Sequence, residues 1–296
     1  MKWRFHSHQR LHRQGRLSLR QPRRRQPHPR REGEVRRTRS WSSLRRTCRR
    51  SLRSWSRWSW RCSPALEAWV EEARRRAAEE AVRAVGNGDV VGLGSGRTVV
   101  YAVEQLARRV KTENLKVSCI PSSYQILLEA LKVGLPTSSL YEHPELDITL
   151  DGADEVDAEL NLTKGGGGAL TREKILASNS KRYLVIVDGR KLVERLGSTK
   201  PIPLEVLPFA APALKRRLER VFGRAELREG SGKLGPVLTD NGNFILDVYT
   251  GPLENPWEVE ERMRKLPGVL EVGLFLGMAH EVYVGFKEGV KKLSRG

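Results

Sequence analysis

Apolar residues recur with two different periods along this chain, and the switching between them predicts its elements. Leu66, Trp69, Val70, Ala73, Ala77, Ala81 and Val85 follow one another at helical spacing. Gly86-Asn87-Gly88 then ends the helix. The run VVGLG reads as a short buried strand, followed by the glycine-rich turn GSGRT and the helix VVYAVEQLARRV. LKVSCIPSS predicts a strand entering a polar loop, where Ser122 and Ser123 are placed to cap the helix YQILLEALKV, closed by Gly134. ELDITL reads as a buried strand ending at Leu150, ALTREKILASNS as a helix, and Leu184 to Val187 as a further buried strand. Strands and helices alternating at these lengths predict a doubly wound, mostly parallel sheet.

From Pro201 the pattern changes. PIPLEVLPF reads as an edge-like strand, because prolines spoil a central position. APALKRRLERVFG is a predicted helix. AELREGS and VLTDNGNFILDVYTG read as a hairpin-like pair turning at Asn241-Gly242. PWEVEERMRKLPG is another helix and VLEVGLFLG another strand, and the charged faces of the two helices read as solvated. The order βαββαβ predicts a ferredoxin-like α+β small domain at 201–275, inserted before EVYVGFKEG returns to the main sheet. The expected organisation is therefore an α/β domain from 64–200 and 276–296, with the small domain inserted and residues 1–63 as an N-terminal extension.

Charge sharpens that last boundary. Residues 1–63 hold Lys2 and twenty arginines against Glu32 and Glu34, so the whole formal charge of +19 arises there and the remainder is neutral. The extension has no sustained apolar period, and a chain of this composition cannot bury enough apolar area to fold alone, so disorder is expected. Arginines interleaved with Trp41, Trp55, Trp58 and Trp60 would suit phosphates and stacked bases. Richness in Arg and Ser with few acids would also suit a transit peptide. The reading preferred here is an upstream frame joined by a misplaced start, since many arginines with one lysine contrast with the mixed usage that follows. Nucleic-acid binding by 1–63 is the less favoured alternative. No run is long enough to span a membrane. Of three cysteines, Cys119 lies in a predicted strand, and no CxxC or Cys/His ligand spacing occurs. That usage fits a reducing cytoplasm. His143 and His280 are the only histidines after the extension, and neither suggests a metal site.

The chemistry concentrates in DGADEVDAELNLTKGGGGALTREKILA, residues 151–177. In open α/β sheets ligands bind at strand C-terminal ends, where this stretch begins. Asp151 and Asp154 are acceptors suited to hydroxyls. Lys164 is a compact cation set against Gly165, Gly166, Gly167 and Gly168, whose amides can approach an anion. Glu173 lies about one turn into the helix and can face the same cavity. A carboxylate beside an oxyanion-stabilising lysine can move a proton next to a carbonyl. Taken singly, DGAD is a polar turn and a glycine run is a connector. Four glycines between a buried strand and a helix are not a linker.

DGADEVD followed by KGGGGALTREKILA resembles the signature of the A-type ribose-5-phosphate isomerase family, the archaeal form above all. The resemblance implies a substrate site formed by Asp151, Asp154, Lys164, Gly165, Gly166, Gly167 and Glu173, with Glu173 as the proton-transferring base. Gly152 and Ala153 fall within the same motif. GLGSGRT lacks a Walker A lysine and a third fingerprint glycine, but it is similar to the family's first substrate loop. Ser95, Gly96, Arg97 and Thr98 match it, and Arg97 departs from the usual small hydroxyl residue. Lys191 matches a substrate-contacting lysine of the family, where its position alone would read as a solvated surface residue. The implied activity is interconversion of D-ribose 5-phosphate and D-ribulose 5-phosphate through an enediolate, with no cofactor and no metal, in a cytoplasmic homodimer or homotetramer. In the family the small domain sits by the active site and helps build subunit contacts. The alternative is a sugar-phosphate-binding sensor of the same fold. A sensor would carry a folded DNA-binding domain, and 1–63 show no helix-turn-helix pattern.

Overall fold

The computed structural model describes residues 64–295 apart from Ser231 and Lys233. The expected disorder of 1–63 lies outside the described residues. The chain begins with α1 (Pro64–Val82), β1 (Val90–Leu93), α2 (Arg97–Glu113), β2 (Ser118–Pro121), α3 (Tyr124–Val133) and β3 (Leu146–Asp151). Two short strands follow, β4 (Glu155–Val156) and β5 (Leu162–Thr163), then α4 (Leu170–Ser178) and β6 (Ser180–Asp188). β7 (Ile202–Val206), α5 (Ala211–Phe222), β8 (Ala225–Leu227), β9 (Phe244–Val248), α6 (Pro256–Arg264) and β10 (Val269–Val272) form the second half. β11 (Leu274–Phe275), β12 (Glu281–Gly285) and β13 (Val290–Ser294) close the chain.

The main sheet runs β13-β12-β6-β3-β1-β2. Its strands are parallel except β13, which lies antiparallel on β12 at the edge. β6 shows why it is buried on both faces. Leu184 and Ile186 join the core beneath α1, α2 and α3, while Tyr183, Val185 and Val187 join the opposite core with Leu170, Ala177 and Phe275. α1 packs close because its buried face is small, with Ala73, Ala77 and Ala81 fully covered. A Cβ on Gly285 would stand 2.1 Å from the Ala73 carbonyl. From β1 the chain moves outward to β2, then crosses back to place β3 on the other side of β1. The carboxyl ends of β1 and β3 therefore diverge at a switch point, where an α/β sheet opens a crevice.

The second sheet runs β10-β7-β9-β8, wholly antiparallel, with α5 and α6 as its crossovers. This is the ferredoxin-like arrangement. Its hairpin turns at Asn241-Gly242, where Gly242 takes a φ of 77°. Three expectations are corrected. β7 is an interior strand and fully buried, not an edge. Its Pro203 is tolerated because β10 pairing stops at Leu204, and beyond it Pro203 offers only its carbonyl, to Gly273 N–H at 2.7 Å. VLEVGLFLG is not one strand: it breaks at Gly273, and β11 leaves to pair with β5 in a three-stranded sheet β11-β5-β4. Finally, the strand pattern omits β13, whose Lys291 and Lys292 are exposed as suits an edge.

Candidate active site

Asp151 ends β3, and the chain then folds into the β4–β5 hairpin before the glycine run and α4. Lys164 follows β5, and its backbone N–H donates to Gly273 O at 2.8 Å. Its ammonium lies 5.4 Å from the centre of the Phe275 ring. Nζ pairs with Asp151 Oδ2 at 2.9 Å and Glu173 Oε2 at 3.2 Å, and donates to Gly152 O at 2.7 Å. Asp151 is fully buried. It also accepts Gly152 N–H at 2.7 Å and the Tyr183 hydroxyl at 2.9 Å.

One buried cation thus stands between two buried carboxylates. Burial, and then the charge of Asp151, push Glu173 up to about 8, against the opposing pull of Lys164. Burial works against charge on Lys164, but Asp151 and Glu173 together hold it above the usual lysine range. Burial and the charge of Asp151 keep the Tyr183 hydroxyl protonated, so it donates to Asp151.

Glu173 and Lys164 face a cavity of about 410 Å³ at the switch point. Asp154 lines it and accepts Gly166 N–H at 2.7 Å, and Gly152, Ala153, Gly165 and Gly167 complete that side. The opposite wall is Ser95, Gly96, Arg97 and Thr98 at the start of α2. Gly96, the residue that caps α2, has a φ of 94° and no side chain to satisfy the helix amides. Ser95 Oγ bonds both Ser122 Oγ and Ser123 Oγ at 2.7 Å, so those two serines brace the loop without lining the cavity. Ser123 also caps α3 through Ile126 N–H. Lys191 lines the cavity too, with burial lowering its pKa.

All but two of the candidate site residues singled out in the sequence therefore meet at this cavity. The exceptions are Asp151, which stands behind Lys164, and Gly168, whose N–H donates to Gly165 O at 3.0 Å. Arg74 and Tyr183 are not among the residues that the sequence singles out. Arg74 reaches the cavity from α1, buried, with Nε on Asp188 Oδ2 at 2.9 Å. Its signal was an arginine on the helical face of Val70, Ala73, Ala77 and Ala81. Among the described residues no group of three or more His, Cys, Asp or Glu side chains converges to hold a metal.

Residues 118–289 match the family model of ribose 5-phosphate isomerase A, also called phosphoriboisomerase A. A ribose-5-phosphate isomerase A from Methanothermobacter thermautotrophicus is 48% identical over 220 residues, 74% of this chain and 96% of that protein. This chain belongs to the ribose 5-phosphate isomerase A family. A ribose-5-phosphate isomerase from Sus scrofa is 49% identical over 223 residues, 74% of this chain and 73% of the relative. A solved D-ribose-5-phosphate isomerase, in complex with phospho-erythronic acid, matches with a TM-score of 0.74 and 42% identity, covering 76% of this chain and 99% of that one. The isomerase A family thus extends over the α/β sheet, the ferredoxin-like unit and the cavity between β1 and β3.

Proposed function

We infer that this chain is an aldose–ketose isomerase that interconverts D-ribose 5-phosphate and D-ribulose 5-phosphate, a step of the non-oxidative pentose phosphate pathway. The observation that carries the chemistry is the Lys164 ammonium held 3.2 Å from a buried Glu173 on the cavity wall. In this reading the Glu173 carboxylate takes the proton from C2 of the open-chain aldose. The electron pair moves into C1–C2, and O1 becomes an oxyanion beside Lys164 and the glycine-run amides. The O2 proton passes to O1, and Glu173 returns its proton to C1, leaving a carbonyl at C2. The base ends as it began, and atoms and charge balance.

Asp154 holds sugar hydroxyls with the acceptor positions that Gly166 leaves open. Asp151 acts on substrate through Lys164, whose position and charge it fixes. The phosphate is assigned to the wall that carries Arg97 and the uncapped amides of α2, in a cavity that Arg74 and Lys191 also line. Arg97 thereby supplies charge where a small hydroxyl residue is usual.

A cytoplasmic homodimer or homotetramer is part of the proposal. The exposed apolar stripe Tyr124, Leu128 and Leu131 along α3 supports self-association, and Cys119, a buried free thiol, fits a reducing compartment. No helix among the described residues is long and apolar enough to cross a membrane.

The test is turnover by the full chain and by Glu173→Gln in excess EDTA. We expect the variant to lose about a thousandfold in kcat, the scale of a general base, while still binding phospho-erythronic acid. Near-normal turnover would remove Glu173 as the base. An unsubstituted chain that binds the ligand without turnover would be a sensor.

A further inference from the structure

Arg228 does not line the cavity, yet all three nitrogens of its guanidinium are bonded, one of them to the glycine run that does. It follows β8, with its N–H on Ile245 O at 2.9 Å and its carbonyl accepting Val237 N–H at 2.9 Å. Nε donates to Asp247 Oδ2 at 2.8 Å, and Nη2 pairs with Asp247 Oδ1. Nη1 donates to two successive carbonyls of the glycine run, Gly165 O at 2.7 Å and Gly166 O at 3.1 Å. The Arg228 and Asp247 side chains are 16% and 14% exposed, so the fork is held rather than waving in solvent.

The peptide bonds here are trans. In a trans peptide the carbonyl and the N–H of one plane point in opposite directions. Drawing the Gly165 and Gly166 carbonyls onto Arg228 therefore turns the Gly166 and Gly167 amides away from it. The Gly166 amide meets Asp154 Oδ2 at 2.7 Å. Gly167 lines the cavity, and its N–H has no hydrogen-bond acceptor among the described residues. A glycine run has no side chains with which to fix its own planes and is conformationally permissive. Gly165 stands at a φ of 107°, and a Cβ on Gly166 would lie 2.7 Å from Asp154 Oδ1, so side chains are excluded at those two positions. Within the run Gly168 N–H also donates to Gly165 O at 3.0 Å and shares in holding that carbonyl, but the Gly166 carbonyl, whose plane carries the Gly167 N–H, is held among the described residues by Arg228.

We propose that Arg228 is a positioning residue, set by Asp247, that aims the Gly167 amide at the oxyanion developing in the cavity. Its catalytic consequence rests on the isomerase reading; the aiming of the amide does not.

The experiment uses the full chain and its Arg228→Met and Arg228→Lys variants. Two binding constants and the steady-state rates are measured by calorimetry and by isomerisation of ribose 5-phosphate. The probes are phospho-erythronic acid, whose carboxylate stands in for the enediolate oxygens, and inorganic phosphate, which has no such group. One preorganised donor is worth about 10²–10³ in kcat, and a misaimed donor loses part of that. We expect Arg228→Met to lower kcat roughly 30-fold with KM within about threefold. Phospho-erythronic acid should weaken about tenfold while phosphate changes less than about twofold, and millimolar methylguanidinium should restore part of both losses. A folded Met variant with kcat and phospho-erythronic acid affinity near those of the unsubstituted chain overturns the proposal. Equal weakening of both probes also overturns it. Should the Met variant not fold, Arg228→Lys decides on the same readouts, since an ammonium cannot span both carbonyls and Asp247 as the fork does. If the unsubstituted chain binds phospho-erythronic acid but does not isomerise, the isomerase reading fails while the binding arm still judges Arg228.

Discussion

Replacing Asp151 by Asn should move the acidic limb of activity downward in pH. The argument starts from geometry. Asp151 Oδ2 and Glu173 Oε2 both lie within about 3 Å of Lys164 Nζ, so they are no more than about 6 Å apart. At an effective dielectric of about 20, two unit charges at that distance repel by about 3 kcal/mol, or about two pH units. Glu173 is pushed up to about 8, and Asp151 is the second contributor after burial. Its ionised form is the base, so in the native chain kcat/KM should climb with pH and level off above about 8. At pH 7 only about a tenth of the molecules would then carry the ionised base. Asn keeps the shape of Asp151 but removes its charge, and Lys164 then acts on Glu173 alone. The limb should fall to about 6, near the substrate phosphate's own titration, and none should remain at 8. The plateau should also drop, because Lys164 loses a partner. The assay is initial-rate kcat/KM for ribose 5-phosphate from pH 5 to 10 on both proteins. A limb that stays at about 8 in a folded Asp151→Asn chain would refute the reasoning.

The same buried group carries a stability signature. Its folded pKa lies above the unfolded value, so the native state holds the proton more tightly and this contribution is lost as pH rises from about 4.5 through about 8. Thermal melts from pH 5 to 9 should show the unsubstituted chain losing ground to Glu173→Gln, by at most about 5 kcal/mol, and parallel curves would contradict this. Arg97→Ser should raise KM about tenfold, the worth of one charge-assisted contact, with kcat within threefold; an unchanged KM would mean Arg97 is not a phosphate ligand. Glu205 is fully buried and accepts from Thr171 Oγ1, Thr239 Oγ1, Asn241 Nδ2 and Asn243 Nδ2. Glu205→Ala would strand these donors and should cost about 3–5 kcal/mol by denaturant midpoint; a loss under about 1 kcal/mol would show that water replaces it.

The alternation of periods was enough to reveal the doubly wound sheet and the ferredoxin-like order, since each rests on elements long enough to show a period. β4, β5 and β11 are two residues each, too short for any, so the third sheet was invisible. The break at Gly273 was hidden within a continuous apolar run, and only a tertiary fact explains it: a Cβ there would meet Lys164 O at 2.3 Å. Asp154, Lys164 and Glu173 were legible because they cluster in one stretch at a strand end, whereas Arg97 and Lys191 were found only by likeness to a family pattern. The burial of Asp151 was not, since motif spacing carries no information on which carboxylate faces solvent. Tyr183 was masked by the apolar run of β6, and Arg74 by its neighbours Arg75 and Arg76.

Gly273 ties the cavity to both halves of the chain. The chain passes from the small sheet to the β4–β5 hairpin across this single residue, which is tied on one side to Pro203 and on the other to Lys164. The bond that seats Lys164 at the cavity is therefore made by the residue that joins the small sheet to β11. The seat of Lys164, and with it the Asp151–Lys164–Glu173 contact, is thus shared between the two sheets rather than owned by either.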